Sequence, residues 1–299
     1  KQLRKLRPDI VHIVTEGPLG LTALQAAKSK NIPISSGFHS PFQDFSRFFD
    51  LAFMVKPVQR YLRWFHNSTE LTCVPSQGTY DALRNFGVHC PMLVVGRGVD
   101  VERFSAKYRS ENLRKQWGVA SHTTVMLYVG RLSPEKEIDV LIDAFSVMKH
   151  QLAKNVQLVI VGDGPDKERL QRKKDADQVV FTGSLSGNQL AEAYASADVF
   201  VFASQVETFG NVVLEAMASG LPVVAYDYAC AEQHVIPNKM GWLSPLGDQA
   251  HFMQAIYQLP EMHIPKKMGV DAMQAVQKVG WHHPVSQLEQ ALYQVVQET

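Results

Sequence analysis

Short apolar segments alternate with helical segments along the chain, and this alternation constrains the fold more than any other feature. Strands that are joined through helices run parallel, and helices cover both faces of their sheet. The predicted strands are Ile10–Val14, Ile32–Phe38, Leu71–Pro75 and Met92–Val95, then five near residues 125–129, 156–161, 179–181, 198–202 and 222–225. The predicted helices include Leu19–Lys30, Phe45–Asn67 with a break near Pro57, Thr79–Phe86 and a last helix from Trp281 to Val296.

The alternation lapses between Gly98 and Val119, and the sequence therefore predicts two α/β domains with a boundary there. A chain of 299 residues with 45% hydrophobic and 20% charged residues is typical of a globular protein of two domains. We assign residues 1–98 to a first, incomplete domain and 99–280 to a second. Residues 281–299 form the last helix.

Ligands of open α/β sheets bind beyond the carboxyl ends of the strands. In the second domain, Gly130, Gly162, Gly183 and Ser204 follow such ends, and in the first domain His39 does so. The sequence therefore predicts a site in a cleft that the two domains face. Closure of such a cleft would exclude water.

Two carboxylates eight positions apart, Glu207 and Glu215, flank the predicted start of a helix. The first is expected on the loop and the second about two turns into the helix. Between them, free N–H groups of Gly210, Asn211, Val212 and Val213 would form a phosphate seat. Such a seat between two hydroxyl-binding acids suits a sugar joined to a nucleotide diphosphate. The alternative is an amphipathic helix with both acids solvated.

A second motif follows the strand Thr124-Val-Met-Leu-Tyr-Val. It places Gly130 and Arg131 at a turn and Lys136 in a helix that Pro134 is expected to open. Arginine offers a planar fork and lysine a point charge, and both neutralise a diphosphate leaving group.

With these motifs the chain resembles the retaining glycosyltransferases of family 4, which have the GT-B fold of two Rossmann-like domains. The resemblance covers nearly the whole chain. In the second half it rests on the two motifs above, on Val161-Gly162-Asp163-Gly164-Pro165 and on Phe181-Thr-Gly183. In the first half it rests on Pro8-Asp9-Ile-Val-His-Ile, Glu16-Gly-Pro-Leu-Gly20, Gly37-Phe-His39-Ser-Pro-Phe and Gly96-Arg-Gly-Val-Asp100.

The resemblance implies a hexosyltransferase, with catalytic residues His39, Arg131, Lys136 and Glu207. Arg131 and Lys136 would bind the donor phosphates, Glu207 the donor sugar, Glu215 the ribose, and His39 would reach the reacting sugar from the first domain. The residues expected to bind the donor are Gly130, Gly183, Leu185, Phe209, Gly210, Asn211, Val212, Val213 and Glu215.

The subgroup that the chain resembles makes α-mannosides or α-glucosides on lipid or glycan acceptors. It favours GDP-mannose as the donor, followed by a UDP-hexose, and the loop from Gly183 to Leu185 would select the base. We expect no cofactor and no metal. Asp175-Ala-Asp177 matches the metal-binding Asp-x-Asp pattern by letter, but it lies in a Lys-rich polar stretch and is interpreted as a solvated turn. No nucleic-acid partner is expected.

The chain starts at Lys1, and the first strands of the family with their glycine-rich loop would precede Pro8. We therefore expect an incomplete first domain, and the activity of these 299 residues alone is open. A non-catalytic domain that binds nucleotide sugars is one alternative. A sugar-nucleotide epimerase of similar fold is another, whereas a phosphorylase would need a cofactor-bearing lysine for which the sequence gives no case.

Charge and aromatic residues suggest where the protein is located. Residues 1–100 hold 12 Lys/Arg against 7 Asp/Glu, whereas the remainder holds 18 against 22. Residues 47–66 combine basic and aromatic side chains, which is typical either of a helix at an anionic membrane or of a core helix with solvated basic residues. Cys73, Cys90 and Cys230 favour reduced core thiols in a cytoplasmic protein, expected to be peripheral on the inner membrane face.

Overall fold

The computed structural model describes residues 5–39, 55–259 and 266–299. They form two compact units. Unit 1 consists of Lys1–Arg97 together with Trp281–Thr299, and unit 2 of Gly98–Gly280. Each unit contains a parallel sheet, which follows from the alternation of strands and helices along the chain.

Unit 1 contains a four-stranded parallel sheet in the order β1-β2-β3-β4. Its strands are β1 (Val11–Ile13), β2 (Ile34–Gly37), β3 (Leu71–Val74) and β4 (Met92–Val94). Its helices are α1 (Pro18–Lys28), α2 (Val55–His66) and α3 (Gln77–Phe86), and the final helix α12 (His282–Glu298) also belongs to this unit.

Among the described residues of unit 1, the apolar core forms three small clusters, and the interior also holds polar groups. Ser36 lies in the interior, with its Oγ 3.0 Å from His66 Nδ1 and 2.9 Å from Thr72 Oγ1. On the other side of the same imidazole, His66 Nε2 lies 3.3 Å from a carboxylate oxygen of the buried Glu16. The short strands of unit 1 thus pack around hydroxyl and imidazole groups as well as aliphatic side chains.

Unit 2 contains a six-stranded parallel sheet in the order β10-β9-β8-β5-β6-β7. The strands are β5 (Thr124–Val129), β6 (Val156–Val161), β7 (Val180–Gly183), β8 (Val199–Phe202), β9 (Val223–Tyr226) and β10 (Gly241–Ser244). The helices are α4 (Glu111–Gln116), α5 (Ile138–His150), α6 (Lys167–Gln171), α7 (Gly187–Ser196), α8 (Asn211–Ala218), α9 (Ala229–His234), α10 (Gln249–Tyr257) and α11 (Lys266–Val276).

One continuous apolar core holds unit 2 together. Every residue of β5 and β8 is buried, as expected for central strands that are covered on both faces. A partly buried ion pair lies at the amino ends of β5 and β8, where Nη1 of the buried Arg114 lies 3.0 Å from Asp198 Oδ2. The same oxygen accepts the N–H of Val125 at 2.8 Å.

The structure differs from the sequence-based expectations at three places. The short strand β10 was not predicted, because Gly241-Trp-Leu-Ser shows no clear apolar run. Pro134 opens a 3-10 turn, Pro134–Lys136, and not a helix, because Glu137 then adopts a left-handed conformation with φ of 46° and α5 starts only at Ile138. The described part of α2 is continuous through Pro57, so the predicted break does not fall between Val55 and His66. Residues 45–54 of the predicted helix lie outside the described residues.

Candidate functional site

The order of the strands in unit 2 reverses at β5, which pairs with β6 on one side and with β8 on the other. In open α/β sheets, the crevice at the carboxyl ends of the strands beside such a reversal is where ligands bind. The loops that follow β5 and β8 therefore flank the site. These loops carry Arg131 and Lys136 on one side and Glu207 on the other.

Glycines allow the loops after β5 and β6 to touch. A Cβ on Gly162, whose φ is 143°, would lie 1.9 Å from the carbonyl oxygen of Gly130. A Cβ on Gly164 would lie 2.2 Å from the carbonyl oxygen of Leu132. Real side chains cannot approach so closely, so both positions require glycine. These two close contacts hold the backbone at Arg131 against the loop that follows β6. Asp163, between these glycines, pairs with Lys167 in the turn at 2.8 Å.

Lys136 and Glu207 meet in a group that we call the switch-point cluster, which consists of Lys136, Ser204, Val206 and Glu207. Lys136 Nζ lies 2.6 Å from Glu207 Oε1, 3.0 Å from the carbonyl oxygen of Val206 and 3.2 Å from Ser204 Oγ. Ser204 Oγ donates to the same Glu207 oxygen at 2.9 Å. One oxygen of Glu207 is therefore occupied, while Oε2 has no hydrogen-bond donor among the described residues.

Arg131 provides a second cation beside this cluster. Its side chain is exposed and has no ion pair or hydrogen bond with any other described residue. Its carbonyl oxygen accepts a hydrogen bond from the hydroxyl of Tyr128 at 3.0 Å, which fixes the backbone. The burial of Tyr128, together with the nearby carboxylates of Glu207 and Glu135, raises the pKa of its phenol well above the usual range, so it remains a donor. The guanidinium is thus free to bind an anion.

Helix α8 begins at Asn211, after Gly210 in the left-handed conformation with φ of 89°. No side chain caps this end, so its first N–H groups face outward as a phosphate seat would require. Two expectations are wrong here. The N–H of Val213 is not free, because it donates to the carbonyl oxygen of Gly210 at 3.0 Å. Glu215 is the fifth residue of the helix, so it lies just over one turn in and not two.

Glu215 is half-buried and accepts a hydrogen bond at Oε2 from the hydroxyl of Tyr194 at 2.9 Å. Burial raises the pKa of this carboxyl above its ordinary value, and the hydrogen bond opposes that shift. Sequence reasoning missed Tyr194, because it falls in the apolar stripe of α7 and carries no sign of a polar role. The other oxygen, Oε1, has no partner in the described part of the chain.

Glu137, which the sequence analysis did not select, holds the loop after the 3-10 turn. Its two oxygens accept hydrogen bonds from Gln205 at 2.5 Å, Gln249 at 2.7 Å and Tyr226 at 3.0 Å. Glu135, two residues earlier, is also buried, and its backbone carbonyl accepts the N–H of Gln205 at 3.0 Å. These contacts join the loop after β5 to the loop after β8 and so position the switch-point cluster.

The remaining residues expected to bind the donor occupy different places. Gly183 ends β7 with φ of 74°, and its carbonyl oxygen accepts the N–H of Gly162 at 2.9 Å. Leu185 is partly buried against the core, and Phe209 is buried and packs edge-on against His234. Asn211 donates from Nδ2 to the carbonyl oxygen of Gly98 at 3.1 Å. The side chains of Phe209 and Asn211 thus make structural contacts within unit 2.

In unit 1, His39 follows β2 and is half-buried. Arg97 Nη2 lies 2.9 Å from its Nδ1. From the sequence, Arg97 is interpreted as a hinge contact and not as part of the chemistry. Ser40, the next residue of the motif, lies outside the described residues.

The exposed side of α2 is basic, with Lys56, Arg60 and Arg63 in contact with solvent. The two described aromatic residues near its end differ, because Trp64 is 48% exposed and Phe65 is completely buried. Phe65 therefore belongs to the core and cannot contact a membrane. Within the described ranges, no helix has the length and apolar character that crossing a bilayer requires.

Family models match both units. The model described as Glycosyl transferases group 1 matches residues 109–270, which is more than half of the chain, and Glycosyltransferase Family 4 matches residues 1–103. The chain belongs to the group 1 glycosyltransferases. The resemblance to glycosyltransferase family 4 that the sequence motifs predicted is confirmed.

Two curated group 1 relatives cover most of the chain. The GDP-mannose-dependent alpha-mannosyltransferase of Mycobacterium tuberculosis is 36% identical over 84% of this chain and 64% of its own length. The alpha-monoglucosyldiacylglycerol synthase of Streptococcus pneumoniae is 32% identical over 73% of this chain and 52% of its own length. The chain thus spans less than two thirds of these relatives.

A solved structure has the same fold as this glycosyltransferase. Sucrose-phosphate synthase of Thermosynechococcus elongatus superposes with a TM-score of 0.85 at 22% identity, covering 100% of this chain and 76% of that one. The predicted GT-B class, with two Rossmann-like parallel-sheet domains, is confirmed.

Proposed function

We propose that this chain transfers a hexose from a nucleotide diphosphate sugar to a lipid or glycan acceptor, with retention of the anomeric configuration and with GDP-mannose as the favoured donor. The switch-point cluster carries the proposal. It sets a lysine and a glutamate in direct contact beside an unpaired arginine and an uncapped helix terminus, at the point where the strand order reverses.

The diphosphate of the donor would bind between Arg131 and the start of α8. Arg131 has no competing carboxylate among the described residues, so its planar fork is available for phosphate oxygens. The outward N–H groups of Gly210, Asn211 and Val212 add the positive end of the helix dipole. Lys136 lies close enough to neutralise the charge that develops on the leaving phosphate.

The two glutamates would bind different hydroxyl groups of the donor. Lys136 and Ser204 fix one oxygen of Glu207 and leave Oε2 for the hydroxyls of the transferred sugar. Tyr194 fixes one oxygen of Glu215 and leaves Oε1 for the ribose. Gly183 and Leu185 border the base. His39 would contact the transferred sugar.

The chemistry that we propose needs neither a covalent nucleophile nor a metal. The leaving phosphate takes the proton of the acceptor hydroxyl on the face from which it departs, so the new bond keeps the configuration of the old one. Arg131, Lys136 and the helix terminus stabilise the phosphate as its negative charge grows. Because these cations are already in place, the diphosphate does not depend on a divalent ion.

The donor sugar and the acceptor are proposed from the relatives and from the surface of α2. One relative is named for GDP-mannose and the other for a diacylglycerol product. Lys56, Arg60, Arg63 and Trp64 form an exposed basic and aromatic surface, which suits an anionic membrane that holds a lipid acceptor. The three buried, unpaired thiols favour a cytoplasmic location.

A thermal-shift panel with GDP, UDP and ADP tests donor binding, because a ligand that binds only the native state raises Tm. We expect GDP to give the largest shift. The full-length protein is then incubated with GDP-mannose and, in parallel, with UDP-glucose, and the anomeric configuration of the product is read by NMR. An inverted product would disprove retention, and a larger shift with UDP would transfer the preference to a UDP-hexose.

No observation favours either alternative, a non-catalytic binding domain or an epimerase. Both curated relatives are named as enzymes that transfer or attach a sugar. If the full-length protein binds a nucleotide but shows no turnover, the non-catalytic binding domain becomes the better interpretation.

A further inference from the structure

The imidazole of His39 is fixed by a residue two strands away. His39 follows β2, and Arg97 lies three residues beyond the end of β4, at the same edge of the sheet of unit 1. Arg97 Nη2 lies 2.9 Å from His39 Nδ1. The contact therefore spans the carboxyl end of β3, which lies between them.

This contact determines which nitrogen of the imidazole carries the proton. A guanidinium can only donate hydrogen bonds, so Nδ1 must accept and must be unprotonated. The neutral ring then carries its proton on Nε2. No described residue accepts a hydrogen bond from this Nε2–H, which leaves it available for an oxygen of a ligand.

Gly37 provides the space that the ring occupies. A Cβ at this position would lie 2.5 Å from His39 Nε2, and the three nearest atoms all belong to the His39 ring. The φ of Gly37 lies outside the left-handed region, so the backbone itself does not require glycine here. The ring therefore accounts for the glycine at the end of β2.

The arginine that makes this contact is partly removed from water. Arg97 is half-buried, and no carboxylate of the described residues forms an ion pair with it. Taking a charge out of water without a counter-charge opposes folding, so this arrangement costs stability. Burial also lowers the pKa of the guanidinium, because its charged form is less well solvated there than in water. Stability of unit 1 therefore does not account for this arginine.

We propose that Arg97 is a positioning residue that holds His39 as the neutral Nε2–H tautomer, so that Nε2 donates to a hydroxyl oxygen of the sugar being transferred. This inference rests on the proposed function for its role in turnover. The tautomer itself is independent of that function and can be measured without substrate.

The charged groups around His39 determine the pH range of this arrangement. Burial is the main cause that lowers the pKa of His39, and the charges of Arg97 and His12 lower it further, whereas Glu16 acts in the opposite direction. His66 lies behind Glu16, 3.3 Å from its carboxylate. A protonated His39 cannot accept from Arg97. Turnover should therefore be lost as the pH falls through the lowered pKa of His39.

The test combines NMR of the imidazole nitrogens with kinetics of the full-length protein. Histidine is labelled with ¹⁵N, and a His39→Gln variant identifies the His39 signals. In the wild type we expect His39 as the Nε2–H tautomer. In Arg97→Met we expect a mixture of tautomers, while Arg97→Lys, which keeps a charged donor, restores part of the wild-type pattern. Gly37→Ala should displace the ring of His39. It should therefore give the same mixture of tautomers as Arg97→Met, although Arg97 is still present.

The kinetic result separates positioning from a structural role. In Arg97→Met, kcat should fall roughly 10–100-fold, because a displaced group loses the geometry of the reaction. The affinity for GDP should stay near that of the wild type, since the residues proposed to bind nucleotide lie in unit 2. The Tm should not fall, since no described carboxylate loses an ion pair with Arg97. The acid limb of kcat should move to higher pH, because the cation that opposes protonation of His39 is gone.

Three outcomes would overturn the proposal. They are a wild-type His39 with its proton on Nδ1, an Arg97→Met variant with unchanged tautomer and pH profile, and an Arg97→Met variant whose loss of kcat follows a loss of Tm. An inactive wild type whose tautomer still depends on Arg97 would instead contradict the proposed function and support the arrangement around His39.

Discussion

The two sheets are built alike, but they place polar groups differently. In unit 2 the central strand β8, Val199-Phe-Val-Phe, is apolar and buried along its length, and the charged groups of the site begin only where the strands end. In unit 1, β2 and β3 carry Ser36 and Thr72 inside the core, hydrogen-bonded to His66. The polar groups around Ser36 are thus part of the packing of unit 1, whereas the switch-point cluster lies beyond the ends of the strands of unit 2.

This difference separates stability from binding. The switch-point cluster of unit 2 can change its partners when a ligand arrives, because the core beneath it does not depend on these charges. In unit 1 the polar groups satisfy one another, and the loss of one leaves another buried group without a partner. We therefore expect substitutions in the switch-point cluster of unit 2 to affect catalysis, and substitutions of the interior hydroxyl and imidazole groups of unit 1 to affect folding.

The largest effect is expected for the cations of unit 2. Lys136→Ala and Arg131→Ala should each lower kcat by roughly 10²–10³-fold, because a preorganised donor to the leaving group is lost. Tm should change little. Steady-state kinetics with GDP-mannose and calorimetry measure the two effects. Lys173→Ala is the matched control, since its ion pair with Asp143 lies on the surface of the same unit. Wild-type turnover in both site variants would refute the phosphate assignment.

Glu215→Ala should weaken the binding of the preferred nucleoside diphosphate by roughly 1.5–3 kcal/mol, because the ribose loses a charged hydrogen-bond partner. Tyr194→Phe, which leaves the carboxylate in place, should cost less. Burial raises the pKa of Glu215 above 4.5, so affinity should fall as the pH decreases through that raised value, and Glu215→Gln should remove this dependence. Isothermal calorimetry at several pH values measures all three. Unchanged affinity in folded Glu215→Ala would remove this residue from the site.

Ser36→Ala tests whether the interior hydroxyl groups stabilise unit 1. It leaves His66 Nδ1 and the hydroxyl of Thr72 without their closest partner, so we expect a loss of roughly 1–3 kcal/mol in the stability of this unit. Hydrogen exchange of the amides in β2 and β3 reports unit 1 alone. Ser29→Ala, which removes an exposed hydroxyl, is the control and should have little effect. Equal exchange rates in the two variants would show that the interior hydroxyls do not contribute.

The basic side of α2 should have a smaller effect, on membrane binding. Each basic residue near an anionic surface contributes about 1 kcal/mol, and salt screens it. Arg60→Glu plus Arg63→Glu should weaken sedimentation of the full-length protein with anionic vesicles, whereas Arg172→Glu plus Lys174→Glu in unit 2 should not. If the wild type ignores such vesicles at low salt, a soluble sugar becomes the better acceptor.

We expect no effect from the removal of divalent metal. Asp175 and Asp177 form the Asp-x-Asp pair of the sequence, and Asp175 bonds to Ser146 and lies 3.5 Å from His150, outside the switch-point cluster. Turnover of the full-length protein should therefore survive EDTA. Inhibition by EDTA with rescue by Mg²⁺ or Mn²⁺ would mean that the cations of unit 2 do not suffice.

The parts of the fold that the sequence predicted well are those in which one local pattern suffices. Long apolar strands such as β5 and β6 and the periodic helix α12 lie close to their predicted positions. The left-handed Glu137 could not be predicted, because its conformation depends on three donors from distant segments. The same holds for Tyr194, whose partner Glu215 is on another helix.

The site was predicted residue by residue but not as an arrangement. The sequence motifs predict that Lys136 binds phosphate and that Glu207 binds sugar, yet Lys136 Nζ lies 2.6 Å from Glu207 Oε1. Their contact depends on the strand reversal between β5 and β8, which the one-dimensional pattern does not contain. The roles of both residues remain predictions until the variants above are measured.

Helix α12 has a consequence for the order in which the protein is made. Its residues Leu288, Ala291 and Val295 pack against Leu71 and Cys73 of β3, so a core cluster of unit 1 contains residues that are synthesised after unit 2. Unit 2 is continuous in sequence and can fold while the chain is still growing. Unit 1, whose strands precede unit 2 in the sequence, must wait until α12 has been synthesised. Until then the apolar face of β3 stays uncovered, and we expect chaperones to bind the nascent chain there.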